Sequence, residues 1–449
     1  MDGISLIPQF GGLFLTLLAF VAALSVIVAI HEYGHYIVGR WCGIKADVFS
    51  LGFGPVLFAR NDKHGTKWQV AALPFGGYVK FRGDGDASSG TSDGTVERLS
   101  PEERRQTMHG APLWARALTV LAGPVFNFIL SIIVFGLIIL GQGKIMEPLA
   151  VGELRPLPTE GLTLQEGDEL VSIEGLQMPG PDAEDGALDD LVGDLPLISA
   201  LTYEVLRDDR LVEVKGPHPM PPLVHQLAPR SAAFDSGLKQ GDVIVGIDGD
   251  DIVAFDQLKQ VVESSNGRTL ALKVWRAGEV LDFDLTPKRV DEPRQEGGFQ
   301  TNWRIGIAGG FAFDFATEAK GVGESFGDGV RQTWAVIDGS LSGLYHMITG
   351  AISSCNMSGP IGIAEVSGAM ASQGVDNFIW FIAVLSTAVG LLNLFPIPVL
   401  DGGHLVFYAY EAAVGKPPSE RALQVLMMTG LTLVLGVMLF ALFNDIFCP

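Results

Sequence analysis

The amino-acid sequence predicts a multi-pass α-helical membrane protein. It has four transmembrane helices, a membrane-associated β-hairpin after the first, and two tandem β-rich domains between the second and third. Three observations predict this. Hydrophobic residues make up 48% of the 449 residues and charged residues only 18%, a balance that leans toward a membrane protein carrying soluble parts. Stretches at about 10–38, 113–140, 378–400 and 422–443 each exceed the length needed to cross about 30 Å of hydrocarbon. Between the second and third of them lie two copies of one turn-and-strand pattern.

The first stretch carries no charge from 11 to 30 and then reads His31-Glu32-Tyr33-Gly34-His35. HExxH places two imidazoles one helical turn apart on one face with a carboxylate beside them. This is the pattern of a zinc site, with His31 and His35 as ligands and Glu32 as general base. Ionisable side chains in or near hydrocarbon are costly and mark function. The stretch lacks a basic leader and ends without a small-residue cleavage site, so a retained span is expected rather than a signal peptide.

Lysine and arginine set the orientation. The first ten residues hold none, whereas 40–105 holds ten. The last link between spans has Lys416 and Arg421, and the tail after 443 has none. Both termini and the long segment between the second and third spans are therefore expected outside, and HEYGH near the cytoplasmic end of its span. Between 49 and 82, apolar β-formers flank Asn61-Asp-Lys-His-Gly65, which reads as a hairpin. It is too apolar for an ordinary loop, and non-helical backbone at membrane depth is tolerated against protein or a wet cavity. A flexible link at 83–94 and a short exposed helix from Pro101 follow.

In the long outward segment, 161–175 echoes 237–249: Gly-Leu, then Gly-Asp, then alternating apolar residues, then an acidic-Gly turn. These units resemble PDZ domains of the bacterial periplasmic-protease type. The second adds a helix near 255–264 and strands through Val274 and Phe283. The first carries an acidic insertion at 182–190, a solvated loop. A weaker fifth apolar stretch, 335–363, is broken by Gly, Ser and His and is expected to be surface or amphipathic.

Zinc needs a third protein ligand and an open position. Asn393-Leu-Phe-Pro-Ile-Pro-Val-Leu-Asp-Gly-Gly-His404 breaks the end of the third span with prolines and glycines. Running outward to inward, that span delivers Asp401 to the depth of His31 and His35, making Asp401 the third ligand. His404, nearer the interface, is its rival. Asn393 lies about two turns earlier and is a candidate to hold a substrate carbonyl or oxyanion. Interhelical bonding is its alternative role. The formal charge of −21 excludes nucleic acid as a partner. Cys42, Cys355 and Cys448 show neither metal-ligand spacing nor a paired framework, and read as isolated small hydrophobes.

Taken together, these residues resemble the site-2 protease family of intramembrane zinc proteases, in its bacterial RseP-like branch. HEYGH matches the family's HExxH, and 393–402 matches its NxxPxPxLDG element. Ala122-Gly-Pro-Val-Phe-Asn127 and Ser358-Gly-Pro-Ile-Gly-Ile363 add to the likeness, which spans nearly the whole chain. It implies a Zn2+-dependent endopeptidase of the bacterial inner membrane, cutting within transmembrane segments of single-span proteins such as anti-sigma factors or signal-peptide remnants. It further implies that another protease first trims the substrate's outer domain, with the PDZ-like pair as a size filter. The expected organisation is 1–145 for the first two spans and hairpin, 146–222 and 223–310 for the PDZ-like domains, 311–375 for a connecting periplasmic segment, and 376–449 for the last two spans. The competing reading is a non-proteolytic PDZ scaffold, which would not need Glu32.

Overall fold

The computed structural model describes residues 6–84, 99–180, 183–184, 186–294 and 298–448. The expected flexible link at 83–94 lies mostly outside these residues, and the acidic insertion partly so. Contacts divide the chain into two units: Met1–Ile138 with Val322–Pro449, and Ile139–Gly321.

The first unit is helical around one β element. Its helices are α1 (Leu6–Trp41), α2 (Pro101–Arg105), α3 (Leu113–Gln142), α4 (Val322–Ile348), α5 (Pro360–Ser372), α6 (Val375–Asn393), α7 (Asp401–Val414) and α8 (Glu420–Phe447). Among the described residues four helices are long and apolar enough to cross a membrane: Gly12–Trp41, Leu113–Gln142, Val375–Asn393 and Glu420–Phe447. Lipid in place of water explains why Leu17, Leu137, Leu433 and Phe440 point outward unburied. The short helix α2 starts on a capping box in which Ser100 and Glu103 satisfy each other's end of the backbone.

The third span is shorter than 378–400. Pro396 and Pro398 cannot donate to a helical ladder, so α6 stops at Asn393 and the chain turns through 394–400. Hydrogen bonds from Ile397 N–H to Phe395 O (2.7 Å) and Leu400 N–H to Ile397 O (2.8 Å) close that turn. A separate helix, α7, then begins at Asp401. The fifth apolar stretch is not one element: α4 ends at Ile348 and α5 starts on Pro360.

Strands β1 (Ala46–Asn61) and β2 (Lys67–Phe81) form the expected hairpin. Each strand folds back on itself, so Phe49 pairs with both Val79 and Trp68. Asp62 holds the turn. One carboxylate oxygen accepts from the N–H groups of His64 and Thr66 at 2.8 and 2.9 Å, the other from Tyr36 of α1 at 2.9 Å and Trp68 at 3.1 Å. Phe53, Val56, Leu57 and Phe58 stay exposed.

Two of the cysteines are paired. A disulfide joins Cys355 to Cys448 across 93 residues, with Cα atoms 5.6 Å apart. The expectation of isolated cysteines fails because α8 brings the chain's end back beside the start of α5. Asp445 accepts there from the N–H groups of Gly359, Ile361 and Gly362 at 2.9–3.1 Å, and Asn444 donates to Ser354 O. Cys42 remains unpaired and half-buried.

The second unit holds two four-stranded sheets of the same strand order. One runs Leu176–Gln177, Glu169–Ile173, Ala200–Arg207, Arg210–Pro217. The other runs Asp250–Asp251, Val243–Ile247, Leu270–Arg276, Glu279–Leu285. The repeated Gly-Asp has a structural reason. Asp168 and Asp242, each 1% exposed at the side chain, take two 2.6 Å bonds apiece from Arg207 and Arg276 at the ends of the adjoining strands. Each carboxylate also accepts from a turn N–H, of Gln165 and Lys239, at 2.8 Å. Alternation along the strands buries Leu201, Tyr203 and Val205 in the first core, and Leu270, Leu272 and Val274 in the second.

Candidate metal centre

Three side chains predicted as ligands converge within the first unit. His31 and His35 are one turn apart on α1, and Asp401 is the first residue of α7, where the helix dipole favours a carboxylate. The two Nε2 atoms lie 3.1 Å apart, and Asp401 Oδ2 is 3.2 Å from His31 Nε2 and 3.4 Å from His35 Nε2. Bond lengths of about 2.0–2.1 Å in a tetrahedral zinc site put neighbouring ligand atoms roughly 3.3 Å apart, which these separations fit. Among the described residues, this is the one group of three or more His, Cys, Asp or Glu side chains close enough to hold a metal.

The proton arrangement also fits a cation. His35 Nδ1 lies 2.8 Å from the backbone oxygen of Thr119, which only accepts, so Nδ1 carries the hydrogen and, in the neutral ring, Nε2 is a bare lone pair. Asp401 Oδ2 is buried with no backbone N–H, lysine or arginine against it; the groups that face it are the two imidazole Nε2 atoms. His31 Nε2 and Asp401 Oδ2 stand 3.1 and 3.4 Å from the His35 lone pair, a crowding of basic atoms that a bound cation would answer.

The space is made by glycine. A β-carbon at Gly123 of α3 would stand 2.4 Å from His35 Nε2 and 2.8 Å from His31 Cε1, so any other residue displaces the imidazoles. Pro124 and Asn127, from the same Ala-Gly-Pro-Val-Phe-Asn run, are also buried on α3. Asn127 is fully buried, its amide 3.2 Å from His31 Nδ1. Neither Asn127 nor the Thr119 carbonyl was assigned a role by sequence reasoning. The run containing Asn127 was a visible signal, but a backbone oxygen leaves none.

Glu32 stays outside the ligand group. It is half-buried beside the hairpin and accepts from the Val79 backbone. A side chain at Gly77 would meet Val28 at 3.0 Å and Glu32 at 3.3 Å, so the absence of one lets β2 lie directly on this face of α1. His404 is not among the converging ligands. It lines a cavity of about 590 Å³ with Met108, Arg116, Tyr408, Glu411 and Met428. There Arg116 holds Glu411 with two bonds of 2.6 and 3.0 Å. The Asn393 amide donates one of its two hydrogens to Val389 O of its own helix at 3.0 Å.

Comparison with known proteins agrees with this chemistry. Residues 19–437 match peptidase family M50. The chain is 36% identical over 432 residues to the putative zinc metalloprotease Atu1380 of Agrobacterium fabrum, covering 95% of this chain and 94% of that one. It is 35% identical to the putative zinc metalloprotease R01501 of Rhizobium meliloti, with 96% of each chain covered. It is also 32% identical over 464 residues to the regulator of sigma-E protease RseP of Salmonella typhimurium, covering 96% and 98%. The chain belongs to peptidase family M50, the site-2 proteases, and is a zinc-dependent metalloprotease of the membrane.

Proposed function

We propose that this protease holds zinc on His31, His35 and Asp401, uses Glu32 as its general base and cuts peptide bonds within transmembrane segments of single-span proteins. The observation that carries the reading is the set of three potential ligand atoms, His31 Nε2, His35 Nε2 and Asp401 Oδ2, separated by 3.1–3.4 Å. Zinc, when bound, supplies Lewis acidity for the scissile carbonyl and for the attacking water. Glu32, adjacent to the ligands but not one of them, takes the proton from that water and delivers it to the leaving nitrogen. Asn393 is the candidate partner for the substrate carbonyl.

A substrate helix hides its peptide bonds, so it must unwind, and its freed backbone groups need partners in lipid. The hairpin supports a way to supply them. Its β2 edge near Gly77 adjoins Glu32, and an extended substrate could add there as a strand. Proline or glycine substitutions along that strand edge should slow cleavage of membrane substrates; unchanged turnover would refute the strand role.

Both termini and the repeated β units are proposed to be periplasmic, with the metal ligands near the cytoplasmic side of the inner membrane, a reading supported by the lysine and arginine bias. The Cys355–Cys448 disulfide supports this, since such bonds persist in oxidising compartments. The two β units are read as PDZ-like domains that admit substrates only after their outer domains are trimmed. The relative named for regulation of sigma-E makes an anti-sigma factor the first substrate to try. Deleting 153–288 should then permit cleavage of untrimmed substrates. The reading as a whole is tested by cleavage of a model single-span substrate by wild type and Glu32→Gln, with zinc measured in both. Equal cleavage by the two would overturn it.

A further inference from the structure

The two imidazoles are supported differently. The Thr119 carbonyl beside His35 can only accept, which sets the neutral ring with its hydrogen on Nδ1 and Nε2 bare. Beside His31 stands an amide, which offers either a donor or an acceptor, and whose nitrogen and oxygen are told apart only by their hydrogen bonds. With its nitrogen toward His31 Nδ1 at 3.2 Å, Asn127 leaves its own Oδ1 buried without a partner. That orientation also forces the hydrogen of a neutral His31 onto Nε2, the atom aimed at His35 and Asp401 at 3.1 and 3.2 Å. A ring so protonated is not a ligand.

Resting on the zinc reading above, we infer that Asn127 is a positioning residue for His31: turned by a half-rotation of its amide, its Oδ1 accepts from His31 Nδ1–H and leaves Nε2 bare for the metal. Asn127 thus supports His31 in both tautomers, one suited to the metal-free pair with Asp401 and one to the metal-bound state. A metal-ligating histidine ordinarily gives its other N–H to such an outer partner. Among the described residues, the Asn127 side chain has His31 as its hydrogen-bond partner. It is fully buried in the middle of α3, and its backbone oxygen, not its amide, receives the interhelical bond from Ser386 of α6 at 3.0 Å. Replacing the amide therefore leaves the α3–α6 contact intact.

The test measures zinc affinity of the full-length protein in detergent by competition with a chelator, for wild type, Asn127→Leu and Asn127→Asp, with the melting temperature of each metal-free protein taken alongside. Leucine removes the acceptor and should weaken zinc about 10–100-fold. Aspartate keeps an acceptor and should bind within a few-fold of wild type or tighter. Leucine binding zinc as tightly as wild type would overturn the inference. So would equal weakening in both variants, because a packing role does not distinguish an acceptor from its absence. A wild type without zinc affinity would instead defeat the underlying metal assignment.

Discussion

Asp168 in the β-rich unit and Asp401 in the helical unit are both carboxylates withdrawn from water, and the protein treats them oppositely. Asp168 receives two bonds of 2.6 Å from Arg207 and one of 2.8 Å from the Gln165 N–H. Its charge is fully answered within the fold, and the same device recurs at Asp242 with Arg276. Asp401 Oδ2 has no arginine, lysine or backbone N–H against it and faces two imidazole nitrogens at 3.2 and 3.4 Å. A buried charge that the protein satisfies stabilises a fold, whereas one met by two potential metal ligands is kept for a partner the chain does not supply.

That contrast is open to direct attack. The largest effect is expected at Glu32, which lies beside the unanswered group but does not complete it. Glu32→Gln should lower turnover of a single-span substrate by about 10²–10⁴ while zinc content stays at the wild-type level. Loss of zinc in that variant would make Glu32 a ligand. Asp401→Asn should cost more zinc affinity than the roughly 10–100-fold lost with an outer partner, with little change in metal-free melting. Gly123→Ala pushes directly on both imidazoles and should cut turnover by about 10²; wild-type activity there would mean that the ring positions are not critical.

Asp168→Asn should behave in the opposite way. It weakens the charge-assisted bonds from Arg207 and should destabilise the β-rich unit by about 1–3 kcal/mol, read by denaturant unfolding, while the zinc content of folded protein is unchanged. A smaller effect follows from pH. Burial alone would raise the Asp168 pKa, but the Arg207 and Gln165 bonds outweigh it and hold the carboxyl below its ordinary value. Its folded pKa is thus depressed. The stability it contributes is present above about pH 3.9, the unfolded value, and is lost as pH falls through the lower folded value. Wild type should therefore lose stability in that acid range more steeply than Asp168→Asn.

The same contrast explains what was legible in the sequence. HEYGH is a local pattern, and helical geometry alone brings His31 and His35 together. Asp401 was recognisable because Pro396 and Pro398 break an apolar span just before it. Both Gly-Asp copies were visible as a repeat, but their arginines sit 39 and 34 residues on, and nothing local ties an arginine to an aspartate across a sheet. The Cys355–Cys448 pair was hidden for a similar reason, since a separation of 93 residues carries no spacing rule. The third span was drawn too long because its hydropathy continues through a turn that proline forbids from being helical. Asn127 stood in a conspicuous run, yet its bearing on His31 depends on how closely α1 and α3 approach, which Gly123 decides.

X-ray absorption at the zinc edge on the purified full-length protein reaches the central assignment most directly. The account predicts one zinc per chain with two imidazole nitrogens and light oxygen donors at about 2.0–2.2 Å, the imidazole signal falling by half in His35→Ala. A protein that takes up no zinc, or a site whose spectrum keeps both imidazoles in that variant, would contradict it.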